Sequence, residues 1–264
     1  MTELEMKKYS RNALLGSFVS MLTAGLATMM YSVSISTIRT DLALTAVQAG
    51  SLGTYTFMGQ MLGGMVAGYL ADRYGRKNIL IVDVILATLA VFATSLLQSY
   101  SIFGILRFIT GVGLGGCYYI ASILIGEFVP TNKRGFMSGV ATSVWNFGYV
   151  VCCAMSAFAL PSIGWRWCFR ICALPIVFVI FMIFGMKDAP SFTAAKANRD
   201  KRDKEEGRKV NAYAEIWSHP RMRKSFIIWS ISMILYFYGY YGLITWLPNY
   251  VQGQVGMQSG GWIT

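Results

Sequence analysis

GYLADRYGRKNIL, residues 68–80, sets four charges (Asp72, Arg73, Arg76 and Lys77) into six positions between two long apolar stretches. Those stretches are not isolated. Apolar segments of about 20 residues, the length that crosses the hydrocarbon core of a bilayer, lie at 13–36, 46–70, 78–98, 102–126, 137–160, 168–186 and 225–250. In a chain of 264 residues, 55% hydrophobic side chains exceed what a soluble core requires. Buried helices of a soluble protein keep a polar face, and these segments mostly do not. Membrane-spanning strands would alternate apolar and polar positions over about ten residues, a pattern absent here. The first segment follows Lys7, Lys8 and Arg11, yet its apolar run is far longer than the roughly 7–15 residues of a signal peptide. The sequence predicts an all-α integral membrane protein with seven spans, the first of them retained.

Charge sets the orientation. With the N-terminus inside, all but four of the 23 basic residues fall on cytoplasmic segments: Lys7, Lys8 and Arg11, then Arg73, Arg76 and Lys77, then Lys133 and Arg134, then eleven between Lys187 and Lys224. Arg39, Arg166 and Arg170 lie in outer loops and Arg107 within a span. Such a bias predicts an N-in, multi-pass protein of the plasma or inner membrane. The net charge of +11 is then topological, facing anionic lipid. It implies no nucleic-acid partner, since no basic stripe with interleaved aromatics accompanies it.

The five cysteines (Cys117, Cys152, Cys153, Cys168 and Cys172) lie in or beside spans, without a Cys-x-x-Cys pair and with His219 the single histidine. That combination predicts no metal site and no other cofactor. No spaced nucleophile, base and orienting group appears, so the chain is not read as an enzyme. Residues 187–224 abandon the apolar pattern for eleven basic and six acidic side chains. They divide the chain into a six-helix bundle at 1–186, a charged cytoplasmic loop at 187–224, and a seventh span with a short tail at 225–264.

Between spans two and three about seven residues must reverse the chain. Gly75 suits a positive φ in that turn. Gly68, near the end of span two, is read as a place where another helix approaches closely. Arg73, Arg76 and Lys77 obey the positive-inside rule, but Asp72 does not, and an acid among three bases points to a specific partner.

Here the residues resemble a known family. Gly68, Leu70, Ala71, Asp72, Arg73, Gly75, Arg76 and Lys77 match the loop 2–3 signature G-x-L-A-D-R-x-G-R-K of the major facilitator superfamily. RFITGVGLGG at 107–116 and GEFVPTNKRG at 126–135 follow in the family's order. GWRW at 164–167, KDAPSF at 187–192 and YYGLITWLPNY at 240–250 resemble the versions in sugar and organic-acid symporters. The resemblance implies twelve helices in two six-helix halves, each of two inverted three-helix repeats, around a cavity at the membrane midplane. It also implies a cytoplasmic gate of Gly68, Asp72, Arg73, Gly75, Arg76, Glu127 and Arg134, with Asp72 facing a helix N-terminus of the second half and Arg76 paired with Glu127.

Arg107 is the most informative intramembrane residue, because a mid-span charge costs roughly 2.5–3.5 kcal/mol and is usually functional. Helical spacing puts Thr110, Gly111, Leu114 and Tyr118 on its face. The resemblance makes that face a border of the cavity, where Arg107 binds a substrate carboxylate or tunes a proton-carrying group. The alternative is that Arg107 snorkels to the outer surface. Thr28, Tyr31, Gln60, Asp83 and Asn146 are further polar groups in spans, Asp83 being read as hydrated near the cytoplasmic end. In span seven, Tyr236, Phe237, Tyr238, Tyr240 and Tyr241 read equally well as cavity lining or as an interfacial belt. Asn146, Tyr236 and Tyr240 join Arg107, Gly111 and Tyr118 as candidate cavity residues.

Span five lacks the Gly-Pro pair of drug-export antiporters, which favours symport. Span one lacks the acidic residues of many aromatic-acid porters. The expected function is proton-coupled transport of a small organic anion or sugar-like metabolite. Ending at Thr264, the chain is expected to lack helices eight to twelve. The alternative reading is a non-transporting fragment or interaction subunit that pairs with a second polypeptide.

Overall fold

The computed structural model describes residues 3–188, 192, 193, 197 and 217–255, with the backbone alone for 3–8, 237 and 240–255. All regular structure among them is helical. Two compact units, residues 1–198 and 199–264, are taken separately.

In the first unit, α1 (Glu3–Asp41) and α2 (Ala46–Tyr74) are joined by a short turn. The turn ends at Thr45, whose hydroxyl accepts from the Gln48 amide while the Gln48 side chain accepts from the Thr45 amide, a reciprocal cap that starts α2. Gly75 then takes φ +101°, which only glycine adopts at little cost, and α3 (Arg76–Thr94) leaves at once. After α4 (Tyr100–Phe128) and α5 (Thr131–Ala154), a π-helical turn at Met155–Ala159 leads into α6 (Leu160–Cys172). A second glycine with a positive φ, Gly164 at +77°, breaks α6. The chain returns through a 3₁₀ turn at Leu174–Ile176 into α7 (Val177–Gly185). The second unit contains α8, Pro220–Val255.

Four stretches are long and apolar enough to cross a bilayer: Tyr9–Asp41, Arg76–Thr94, Tyr100–Phe128 and Thr131–Gly185. The last contains both predicted spans five and six, folded back at Gly164. Predicted span two forms a helix but is not among the four, because six glycines and two glutamines dilute its apolar character. Predicted span seven is helical as well, with the side chains of 237 and 240–255 outside the described residues. Helices also extend beyond the apolar runs, because their polar ends continue the same hydrogen-bond ladder.

The exterior is greasy and the interior partly polar. Phe184 is 84% exposed, and Phe158, Ile180, Met61 and Val82 are also exposed, whereas Ser17, Ser20, Thr23, Thr88, Thr94 and Thr110 are buried. Each of those hydroxyls donates to a carbonyl one turn back in its own helix, which satisfies it without water. Apolar surface on this scale needs lipid as its solvent.

Glycines decide the packing. A side chain at Gly59 or Gly63 of α2 would strike the backbone of Phe108 and Val112, and one at Gly111 or Gly115 of α4 would strike that of Thr56 and Gln60. On its other side α4 offers Gly113 and Gly116 to α3, against Ala87 and Asp83. The glycine-rich run from Gly111 to Gly116 thus lets α4 sit between two helices at backbone contact. Gly25 of α1 and Gly148 of α5 meet in the same way. Gly68 departs from its reading: a Cβ there would meet nothing within 4 Å among the described residues. It lies off the α2–α4 seam, which continues through its neighbour Ala67, against Gly116. Asp83 also departs, since its carboxyl fills the space beside Gly116 and is only 6% exposed.

Candidate functional site

Two clusters gather the charged groups singled out in the sequence. At the α2–α3 junction, Arg76 Nη2 lies 3.2 Å from Asp72 Oδ1 and 3.4 Å from Glu127 Oε1 at the end of α4. Its guanidinium also lies 4.7 Å from the centre of the Phe192 ring. Asp72, near the end of α2, thus faces the first residue of α3 within this unit. Arg73 lies over the Tyr69 ring. Arg134 Nε donates to the Val129 carbonyl at 3.0 Å, closing the open end of α4.

Sequence reading passed over Asp188, which organises this junction. Its Oδ1 accepts from the Lys77 amide at 2.8 Å, capping α3 from a residue far along the chain, while its Oδ2 packs against Gly75 in the space a side chain would need. Lys77 Nζ returns the contact to the Ile183 carbonyl at 2.6 Å. The signal was KDAPSF, an acid just past span six, but nothing local says which helix it caps. Asp188→Ala is expected to cost about 0.5–2 kcal/mol, as for other N-caps, and Asp188→Asn, which keeps an acceptor, much less. Melting of the purified protein in detergent checks this; equal losses would show that the cap is not what Asp188 supplies.

Deep in the unit is Arg107, 2% exposed and two turns into α4. It does not snorkel. Its guanidinium lies 4.4 Å from the centre of the Tyr31 ring of α1, and Nη1 donates to the Ala27 carbonyl at 3.3 Å. Nε finds no acceptor, and no carboxylate among the described residues comes within ion-pair distance. A desolvated cation–π contact offsets about 2 kcal/mol, well short of the several kcal/mol that burying a cation costs.

The expected neighbours of Arg107 are divided. Thr110 and Leu114 are buried with it, but Gly111 packs against Thr56 of α2. Tyr118 is exposed, edge-on to Tyr119. One face of α4 therefore does not border one open space, because α1 and α2 cover successive turns of it. Asn146 is exposed on α5 and donates to Thr142 in its own helix. Tyr236 is exposed on α8, and the side chain of Tyr240 lies outside the described residues.

Residues 17–264 match the model of the Major Facilitator Superfamily. The cis,cis-muconate transport protein of Acinetobacter baylyi is 30% identical over 246 residues, which are 93% of this chain and 59% of that protein. The niacin transporter NiaP of the same organism is 29% identical over 239 residues, 81% of this chain and 54% of that one. The chain thus spans a little over half the length of these relatives. Among solved structures, the xylose transporter XylE from E. coli, in an inward open conformation, superposes with a TM-score of 0.63 at 20% identity, covering 83% of this chain and 56% of that one. The family model covers nearly the whole of this helical, lipid-facing chain, and the chain belongs to the major facilitator superfamily of transporters.

Proposed function

We propose that residues 1–186 are a six-helix half, built of two inverted three-helix repeats, of a secondary transporter that moves a small organic anion by alternating access in symport with protons. The N-terminus is cytoplasmic in this reading, 187–224 is a cytoplasmic loop, and 225–264 begins the helices that follow. Arg107 carries the proposal: a buried cation with an unused Nε and no acid beside it among the described residues favours a carboxylate ligand. A movement of α1 that lifts Tyr31 would open it to the cavity. Tyr118 and Asn146 would line that cavity, with Gly111 setting the α2–α4 spacing behind it. The muconate and niacin carried by the two relatives are both carboxylates.

Packing supports the repeat. Exchanging α1 with α4 and α2 with α5 turns the α2–α4 glycine contact into the α1–α5 one. At the junction, the contacts of Arg76 with Asp72 and Glu127 would act as a cytoplasmic gate, with Arg73, Arg134, Gly68 and Gly75 around them. Contacts made in one state and broken in the other bias the equilibrium between the two. The relatives' greater length supports a second set of helices, in the same polypeptide or another, against the exposed faces of this unit.

Proteoliposomes with an imposed proton gradient test the reading, using labelled cis,cis-muconate, niacin and xylose. Uptake of a carboxylate that a protonophore abolishes is expected, with none of xylose. Folded protein that takes up no carboxylate overturns the proposal, and xylose uptake alone would make the substrate a sugar.

A further inference from the structure

GWRW repeats the logic of the α2–α3 junction at the opposite end of the unit. Arg76 follows a glycine at φ +101° and reaches an acid at the end of α4; Trp165 and Arg166 follow a glycine at φ +77° and reach an acid at the end of α1. Arg166 Nη1 is 2.6 Å from Asp41 Oδ2, and the same oxygen accepts from Trp165 Nε1 at 3.0 Å. The Arg166 guanidinium also lies 4.4 Å from the Trp165 ring centre.

An ion pair with side chains 31% and 42% exposed holds little by itself. Trp165 gives the cluster its reach. Its ring is buried, so its one N–H must find an acceptor inside the protein, and Asp41 is that acceptor. Behind it the Phe103 ring lies at 6.0 Å, the Tyr31 ring 6.3 Å beyond, and Tyr31 carries the Arg107 guanidinium. All three rings are buried. In a close-packed interior a shift of one ring has to be taken up by the next.

We propose that Asp41, Trp165 and Arg166 form a clamp that positions Arg107 for its anion through the column Trp165, Phe103 and Tyr31. The clamp rests on the reading of Arg107 as the anion-binding cation. Its members are positioning residues, fixing the end of α1 against α6 so that Tyr31 holds the guanidinium in one place.

Contiguity alone does not prove coupling, so the test is a double-mutant cycle on uptake of whichever carboxylate the proteoliposomes carry. Asp41→Ala and Phe103→Leu are each expected to raise KM on the order of tenfold while leaving Vmax within about twofold. The double variant should go no further than the larger single one, since both act on one column. Asp41→Asn, which keeps an acceptor for Trp165, should recover most of the KM. Unchanged KM in both single variants, where Arg107→Leu has lost uptake, overturns the clamp and leaves Arg107 in the site. Transport that survives Arg107→Leu overturns the reading of Arg107 instead. Multiplying effects on KM, or lower Vmax and melting temperature at constant KM, would reduce Asp41 to a structural role and overturn the clamp.

Discussion

Arg107→Leu is expected to abolish gradient-driven uptake, a loss of about a hundredfold or more, while the protein remains folded and inserted. The two halves of this expectation have one cause. Arg107 is buried with a single hydrogen bond, a ring face and an unused Nε, so the folded state without substrate gains little from its charge. Replacing a buried, poorly compensated charge by an apolar side chain is often neutral or stabilising by about 1–4 kcal/mol, a gain set against the gap that the shorter leucine leaves. Melting temperature should therefore hold or rise as transport disappears. Arg107→Lys keeps the charge but not the planar fork that grips a carboxylate at two points, and should fall between the two. A large drop in melting temperature, with uptake per folded molecule preserved, would make Arg107 a structural residue and remove it from the site.

The charged stretch at 68–80 was the most legible part of the sequence, because its chemistry is local. Gly75 had to take a positive φ in a tight reversal, and it does. The order of the helices was equally legible, since each apolar run reports its own solvent. What escaped were relations between distant segments. Asp188 caps α3 from across the fold, and Asp41 holds Trp165 across an even longer separation in the chain. Neither partner can be inferred from spacing. The surroundings of Arg107 were only partly legible for a related reason: helical periodicity says which residues share an azimuth, but not which neighbouring helix covers each turn. Gly111 and Tyr118 lie close to Arg107 in azimuth, and they meet α2 and open surface instead of α1.

Glycine placement carries the second large effect. Gly63→Ala is expected to destabilise the unit severely, and Gly63→Val to prevent recovery of folded protein, whereas Gly68→Ala five residues on should be neutral or slightly stabilising. A Cβ at Gly63 would lie inside the envelope of the Val112 carbonyl, which belongs to the hydrogen-bond ladder of α4 and cannot turn aside as a side chain tip could. To admit it the two helices must separate. Separation would also open the contacts at Gly59, Gly111 and Gly115, since all four glycines meet the opposing backbone along one crossing. Overpacking a well-filled interior typically costs about 1–3 kcal/mol, and a collision with rigid backbone belongs at or above the upper end. At Gly68 nothing among the described residues lies within 4 Å, so alanine there meets no obstacle from them and gains the roughly 0.5–1 kcal/mol by which it surpasses glycine inside a helix. Melting in detergent, with size-exclusion profiles as a check on folding, separates the two positions. If Gly63→Ala and Gly68→Ala behave alike, α2 and α4 do not meet at backbone contact. If only Gly63→Ala fails, the glycines that dilute the apolar character of α2 are what allow that helix to be packed.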